Sequence, residues 1–402
     1  MSRMFRSPSF VAASLGLIVI AALVAGCGLF SNLPAPTASP STVSPSGASP
    51  SGAVASIVTP TRSPNPTITP LPNAVGSIVL VAAIGETGPA TPSGLAWQGV
   101  QDAADRLGAE PSLVAPRSMA ELTAAVAKAA DDGATIVVTV GSEAAQAVLG
   151  ATTGHRSTQF FELDQTIPDG SPTNVHGLVF DEAEAGFLAG VVAASLTANN
   201  SVGMVGNTKT DVRTANYAAG LRSGAADENP AVAVAVAYVG RTDDPQKGRA
   251  ASAGLIKSRV DVVVAMPDLS GIGAMREACA RKVQVVALDT DASLTVPDVR
   301  PCLVVSVLKR YDVAIRDAIG RYASGEAAPR MTMNDVASGG IALSEFDALV
   351  PSGLADQLAN VVAAMRSGPP RPTPGPTPTP EPSPLPLPSS TSTSTSTSTP
   401  KA

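Results

Sequence analysis

The chain is 402 residues long, carries a formal net charge of −6 and is only 3% aromatic. That balance, with no basic stripe along the sequence, argues against a nucleic-acid partner. With so few aromatic residues, any core must be built from Val, Ala, Ile and Leu.

The stretch Phe10 to Cys27 reads FVAASLGLIVIAALVAGC, an uncharged apolar run behind Arg3 and Arg6. A basic start, an apolar middle and small residues at the end describe a secretory signal. Its length would equally suit an uncleaved membrane-spanning helix. The ending Val24-Ala25-Gly26-Cys27 resembles a bacterial lipobox, which implies cleavage before Cys27 and lipidation of its thiol. On either reading the rest of the chain lies outside the cytoplasmic membrane. Residues 1–26 are read as signal peptide and 27–73 as a tether. Between Ser31 and Pro72, 25 of 42 residues are Pro, Ser or Thr, too little apolar surface to offset chain entropy, so this stretch is expected to be disordered. As a flexible coil it would span about 40 Å. The same composition returns over 368–402 and ends in Ser-Thr alternation from Ser390 to Thr399.

From Ser77 on, apolar strand-like runs alternate with Ala-rich helical stretches. SIVLVAAI (77–84) precedes a helix near Ala96–Leu107, and a helix from Met119 to Ala130 leads into TIVVTV (135–140). QFFEL (159–163) and VHGLVF (175–180) follow, then a helix across Glu182–Leu196. The scheme repeats as SVGMVG (201–206), a helix around Ala215–Ala225, VAVAVAYV (232–239), a helix from Pro245 to Lys257 and DVVVAM (261–266). A helix around Ala274–Ala280, VQVVAL (283–288) and LVVSVL (303–308) close the series. Short Val-rich strands between helices predict an α/β fold with parallel sheets covered on both faces. About 295 foldable residues are enough for two lobes with a core each. Two doubly wound lobes suit the strand count better than one sheet of ten.

In such sheets ligands sit beyond the carboxyl ends of the strands. The loops there read Gly85–Thr91, Gly141-Ser142, Asp164-Gln165, Gly206–Thr210, Gly240–Asp244, Pro267–Gly271, Asp289–Asp291 and Lys309. They are polar and poor in nucleophiles. The two histidines, His155 and His176, have no Cys or carboxylate at metal-ligand spacing. No G-x-S-x-G elbow or phosphate-binding P-loop occurs. Ser270-Gly271-Ile272-Gly273 starts like a dinucleotide fingerprint but has Arg276 at the third glycine position. No enzyme, metal or cofactor is therefore expected. The spacing of Gly186 and Gly190 predicts close packing of their helix on a sheet. Asp243-Asp244-Pro245 predicts a helix start, and Trp97 a core position. Cys279 and Cys302 remain after Cys27. Outside the cytoplasm they could form a disulfide, worth about 3 kcal/mol for a loop of about 24 residues; two buried thiols are the alternative.

Five stretches carry a resemblance: DEAEAGFLAGVVAASLT (181–197), YVGRTDDPQKG (238–248), LDTD (288–291), SVLKRYDVAIRDAI (306–319) and GGIALSEFDALVP (339–351). In order and near the expected spacing, from about Val75 to Met365, they resemble the basic membrane protein family of lipoproteins. These are purine-nucleoside-receptor-like substrate-binding proteins of ABC importers. The resemblance implies a type I periplasmic-binding fold whose lobes close like a clam on a ligand. The N-terminal lobe would comprise 74–180 with 308–330 and the C-terminal lobe 181–307 with 331–350, followed by a final helix over 351–367. It further implies a lipid-anchored monomer on the outer face of the cell membrane, delivering a small polar solute to permease and ATPase subunits. A surface-displayed sensory or interaction domain is the alternative.

By motif match Asp289 takes the place of the family carboxylate that accepts hydrogen bonds from ribose hydroxyls. Asp164 ends the fourth strand facing base or sugar, Lys309 is the pocket lysine, Gly240 the close-approach glycine, and Gly141-Ser142 the V-G-x loop. The sequence departs from the family's D-x-S-F-N-Q loop, where Pro92 replaces the stacking phenylalanine and Ser93 the asparagine. Val264 aligns with a second stacking aromatic, and Asp268-Leu269 with a glycine pair. A stacked base is worth about 1–3 kcal/mol, so these losses bear on the ligand and not on the fold.

Overall fold

The first apolar runs form strands of one sheet. In chain order they are β1 (Ser77–Val81), α1 (Pro92–Leu107), β2 (Glu110–Val114), α2 (Met119–Asp131), β3 (Ile136–Val140), α3 (Ala145–Thr152), β4 (Gln159–Leu163) and β5 (Val175–Phe180). A second set follows: α4 (Glu182–Leu196), β6 (Ser201–Gly206), α5 (Val212–Glu228), β7 (Ala233–Tyr238), α6 (Pro245–Lys257), β8 (Val262–Ala265), α7 (Leu269–Ala280), β9 (Gln284–Asp289), α8 (Ala292–Thr295) and β10 (Leu303–Lys309). The chain closes with α9 (Tyr311–Ala323), β11 (Met331–Asn334), β12 (Ile341–Leu343) and α10 (Ser352–Ser367). This computed structural model describes residues 72–86, 88–346 and 350–368. The readings made on residues 1–71 and 369–402, Cys27 among them, lie outside the described residues.

Two six-stranded sheets result, in the orders β11-β5-β4-β3-β1-β2 and β12-β10-β9-β8-β6-β7. All pairings are parallel except β10 with β12. The central strands are continuous apolar runs because helices cover both faces; all five residues of β3 are buried. The lobes share one internal order, so β4 and β9 occupy equivalent places. The chain crosses between lobes three times: after β5, after β10 and after β11. The crossing after β10 lets α9 return to the first lobe, where it packs on α1 so tightly that a Cβ on Gly99 would lie 2.3 Å from the Asp312 carbonyl oxygen.

The sequence reading assigned residues 331–350 to the second lobe, and this needs correction. β11 pairs in parallel with β5, Met331 opposite Gly177 and Asn334 opposite Phe180, so 331–334 belong to the first sheet. At four residues, with Thr332 its one β-branched member, this Met-Thr-Met-Asn edge strand is too short to stand out in the sequence. β2 escaped notice for a related reason: its residues EPSLV are all exposed at the other edge, where a proline is tolerated.

Helix α4 is buried from Glu184 through Ala194, as expected of a helix enclosed on every side. Its glycines pack against helix α5 and not against a sheet. A Cβ on Gly190 would sit 2.3 Å from the Leu221 carbonyl oxygen, and one on Gly224 of α5 would sit 2.0 Å from that of Phe187. The predicted start of α6 is present, with Asp244 accepting the amides of Gln246 and Lys247 ahead of Pro245. Trp97 is half-buried against the core. Cys279 and Cys302 are joined by a disulfide with Cα atoms 5.4 Å apart.

Candidate ligand-binding cleft

The carboxyl ends of both sheets open on one cleft of about 1100 Å³. Two aspartates reach it from equivalent positions. Asp164 follows β4 and Asp289 ends β9, and both have left-handed backbones, with φ of 59° and 66°. Non-glycine residues seldom adopt that conformation, and it concentrates at functional sites. Here it turns the chain as each strand ends.

Between them lies Lys309, the last residue of β10, with a fully buried side chain. Its Nζ donates to Asp164 Oδ1 at 2.8 Å and to Glu182 Oε1 at 3.0 Å, and stands 3.9 Å from Asp289 Oδ1. Arg213, from the first turn of α5, donates through Nη2 to Asp289 Oδ2 at 2.6 Å, and its Nη1 is 3.9 Å from Asp164 Oδ2. Its side chain is half-exposed to the cleft. Two buried tyrosines complete the cluster: Tyr217 donates to Asp289, and Tyr311 donates to Asp164 Oδ2 at 3.3 Å.

The protonation states follow from these contacts. Burial would push the Asp164 carboxyl up, but the Lys309 ammonium and the Arg213 guanidinium more than offset it and hold it below its ordinary value. Burial would likewise lower Lys309, yet Asp289 and Asp164 keep it raised and charged. Burial, reinforced by the neighbouring aspartates, drives both tyrosines well above the ordinary phenol range, so they remain donors. Asp268, which caps α7 by accepting the Gly271 amide at 2.7 Å, is pushed by burial to about 6. The result is a fixed array of carboxylate acceptors, suited to hydroxyl and amine donors. A nucleophile-base pair is not part of it.

Of the residues singled out in the sequence, Asp164, Asp289 and Lys309 come together, and Gly141 and Ser142 line the cleft near them. Ser93 does not. It is 2% exposed, takes the Ala83 amide at 2.9 Å and donates to Glu86 Oε2 at 2.7 Å. It therefore braces the loop that carries Glu86 to the cleft wall. Gly240 also stands outside the lining. Its φ of 80° and its bond to the Asn207 carbonyl at 2.7 Å make it a turn residue. Val264 is buried within β8, and the cleft is lined by Met266, the residue just past the end of that strand. Sequence reasoning missed Arg213, Tyr217, Glu182 and Tyr311. Tyr311 and Glu182 each follow a strand end within two residues, which was a usable signal. Arg213 and Tyr217 lie on a helix whose polar sequence gave none.

A family model described as ABC transporter substrate-binding protein PnrA-like, Bmp, matches residues 93–363. The chain belongs to this family. The Bmp chain is 27% identical over 208 residues to the ABC transporter nucleoside-binding protein BmpA of Lactococcus lactis, covering 49% of this chain and 58% of that one. It spans about half the length of the curated relatives it matches. Among solved structures it is similar to an ABC transporter solute-binding protein from Conexibacter woesei, with a TM-score of 0.59 and 22% identity over 74% of this chain and 99% of that one. It is also similar to a transcriptional activator of the comK gene from Bacillus halodurans, with a TM-score of 0.62 and 18% identity over 73% and 98%. At these identities the structures speak for the type I periplasmic-binding fold alone.

Proposed function

We propose that this Bmp-family chain is the extracytoplasmic receptor of an ABC importer. It is held at the membrane by a lipid on Cys27, acts as a monomer, and closes about its hinge on a small polar solute of the nucleoside type without turning it over. The observation that carries the reading is the pair Asp164 and Asp289, offered from opposite lobes and already charge-balanced by Lys309 and Arg213. Sugar hydroxyls donating to these oxygens would take over the place of the half-exposed Arg213 guanidinium, while buried Lys309 stays. The nucleoside-binding relative in Lactococcus lactis supports the ligand class. In place of stacking aromatics, the thioethers of Met266, Met331 and Met333 line the cleft and supply polarizable apolar surface for a base.

The test uses the chain from residue 28 on in a thermal-shift and calorimetric screen against nucleosides, free ribose and hexoses. A nucleoside should stabilise saturably and be recovered unchanged. Asp289→Asn should weaken it about 10- to 100-fold, the worth of one or two hydrogen bonds to a charged acceptor. If no solute of the panel shifts the midpoint, or if the nucleoside is consumed, the reading fails.

A further inference from the structure

A second concave site lies at the far end of the first lobe, away from the cleft. Helices α1 and α9 run side by side from the cleft, and their C-terminal halves line an open pocket of about 320 Å³. Arg106, Arg316 and Arg321 line it together with Leu107, Gly320 and one carboxylate, Asp317. Arg316 is tied to its neighbour Asp317 at 2.8 Å. Neither Arg106 nor Arg321 has an ion-pair partner among the described residues. The pocket therefore presents two free guanidinium groups on a protein whose net charge is −6. Planar guanidinium forks match phosphate oxygens.

The place where the chain enters the fold bears on what this pocket meets. Asn73 donates from its amide to the Ala323 carbonyl at 3.2 Å and from its side chain to the Tyr322 carbonyl at 2.7 Å. Pro72 packs against Gly325. The segment that leads back to Cys27 thus joins the lobe at the end of α9, within two residues of Arg321. On the reading that Cys27 carries a lipid, the tether attaches at this end and lets it reach the bilayer, whose anionic headgroups attract basic side chains within about 10 Å.

We propose that the Arg106–Arg316–Arg321 pocket binds the phosphate of an anionic phospholipid headgroup and parks the tethered receptor on the membrane surface between deliveries. The proposal rests on the lipid-anchor reading. Both arginines also sit in the last turn of a helix, where they offset the carbonyl end of the dipole. That role would affect stability but not membrane binding, and it does not explain why three arginines face one cavity.

The chain from residue 28 on, which lacks the acylation site, is mixed with phosphatidylcholine vesicles with and without phosphatidylglycerol, and bound protein is measured by co-sedimentation. Binding is expected only with the anionic lipid and should weaken as salt rises. Arg106→Gln with Arg321→Gln should reduce it roughly 30-fold, about 5-fold for each arginine, at an unchanged circular dichroism spectrum. Arg259→Gln with Lys282→Gln, an equal charge removal on the second lobe, should leave it unchanged. No preference for anionic vesicles, or an equal loss in both double variants, overturns the proposal. So does inorganic phosphate that raises the unfolding midpoint through these arginines while vesicles are not bound, since the site would then serve a free anion. Mass spectrometry of the processed N-terminus tests the anchor separately. An unmodified Cys27 refutes the anchor reading whatever the vesicles show.

Discussion

Glu162 stands on β4 two residues before Asp164 and is 2% exposed, yet its Oε2 finds no hydrogen-bond partner among the described residues. Directly across the ladder, Thr139 Oγ1 is equally unpartnered. An ionised carboxyl in such surroundings is costly, and burial pushes its pKa from 4.5 to about 7. The sign follows from linkage: the folded protein holds a proton that the unfolded chain releases near 4.5. Stability is fully present below that pH and is lost as pH rises through about 7. The whole span amounts to about 3 kcal/mol at 1.36 kcal/mol per pH unit. Glu162→Gln is accordingly expected to be more stable than the parent at pH 8 and close to it at pH 5. Denaturant titrations at the two pH values check this, and an equal gap at both would show that Glu162 is not the titrating group.

At the scale of elements, α4 and α5 cross with their backbones in contact, because glycines spaced four apart on both helices leave no side chain between them. Gly220 and Gly224 are the most constrained of the four, and a methyl on Gly224 would overlap the Phe187 carbonyl oxygen. Gly224→Ala gains helix propensity of about 1 kcal/mol but must push the helices apart, at a cost of roughly 1–3 kcal/mol or more. A net fall in the unfolding free energy is expected; a variant as stable as the parent would mean that the crossing is loose. The spacing of Gly186 and Gly190 was visible in the sequence, whereas their partner surface was not, because α5 alternates small and polar residues without an apolar stripe. The same limit explains the rest of what was missed. Parallel strands buried on both faces announce themselves by Val-rich runs, and the three charged residues at strand ends could be found from those runs. Edge strands such as β2 and β11 carry no such signature. Nor could the sequence show that Ser93 turns inward, because its partners Ala83 and Glu86 meet it only across the β1–α1 loop.

At the scale of the whole molecule, the lobes are joined by three crossings and by one ion cluster, and Lys309 belongs to both. It ends β10 of the second lobe just as the chain returns to α9 on the first, and its ammonium faces Asp164 from the first lobe and Asp289 from the second. Glu182, at the start of α4 just past another crossing, takes a third contact. In the parent the depressed carboxyl of Asp164 contributes stability that is present above its unfolded value of 3.8 and is lost as pH falls through the lower folded value. Lys309→Met reverses that slope. Asp164, buried beside Asp289 and Glu182, then keeps only the half-exposed Arg213 as counter-charge among the described residues, its proton affinity in the folded state rises, and stability falls as pH increases from about 4 towards 8. Losing one partner of a buried pair costs about 3–5 kcal/mol. The variant should therefore unfold at markedly lower denaturant than the parent at pH 8 and recover much of the difference at pH 5. A penalty independent of pH would reduce Lys309 to a packing residue. The pH-dependent penalty is the result expected if this lysine staples the two lobes at the floor of the cleft.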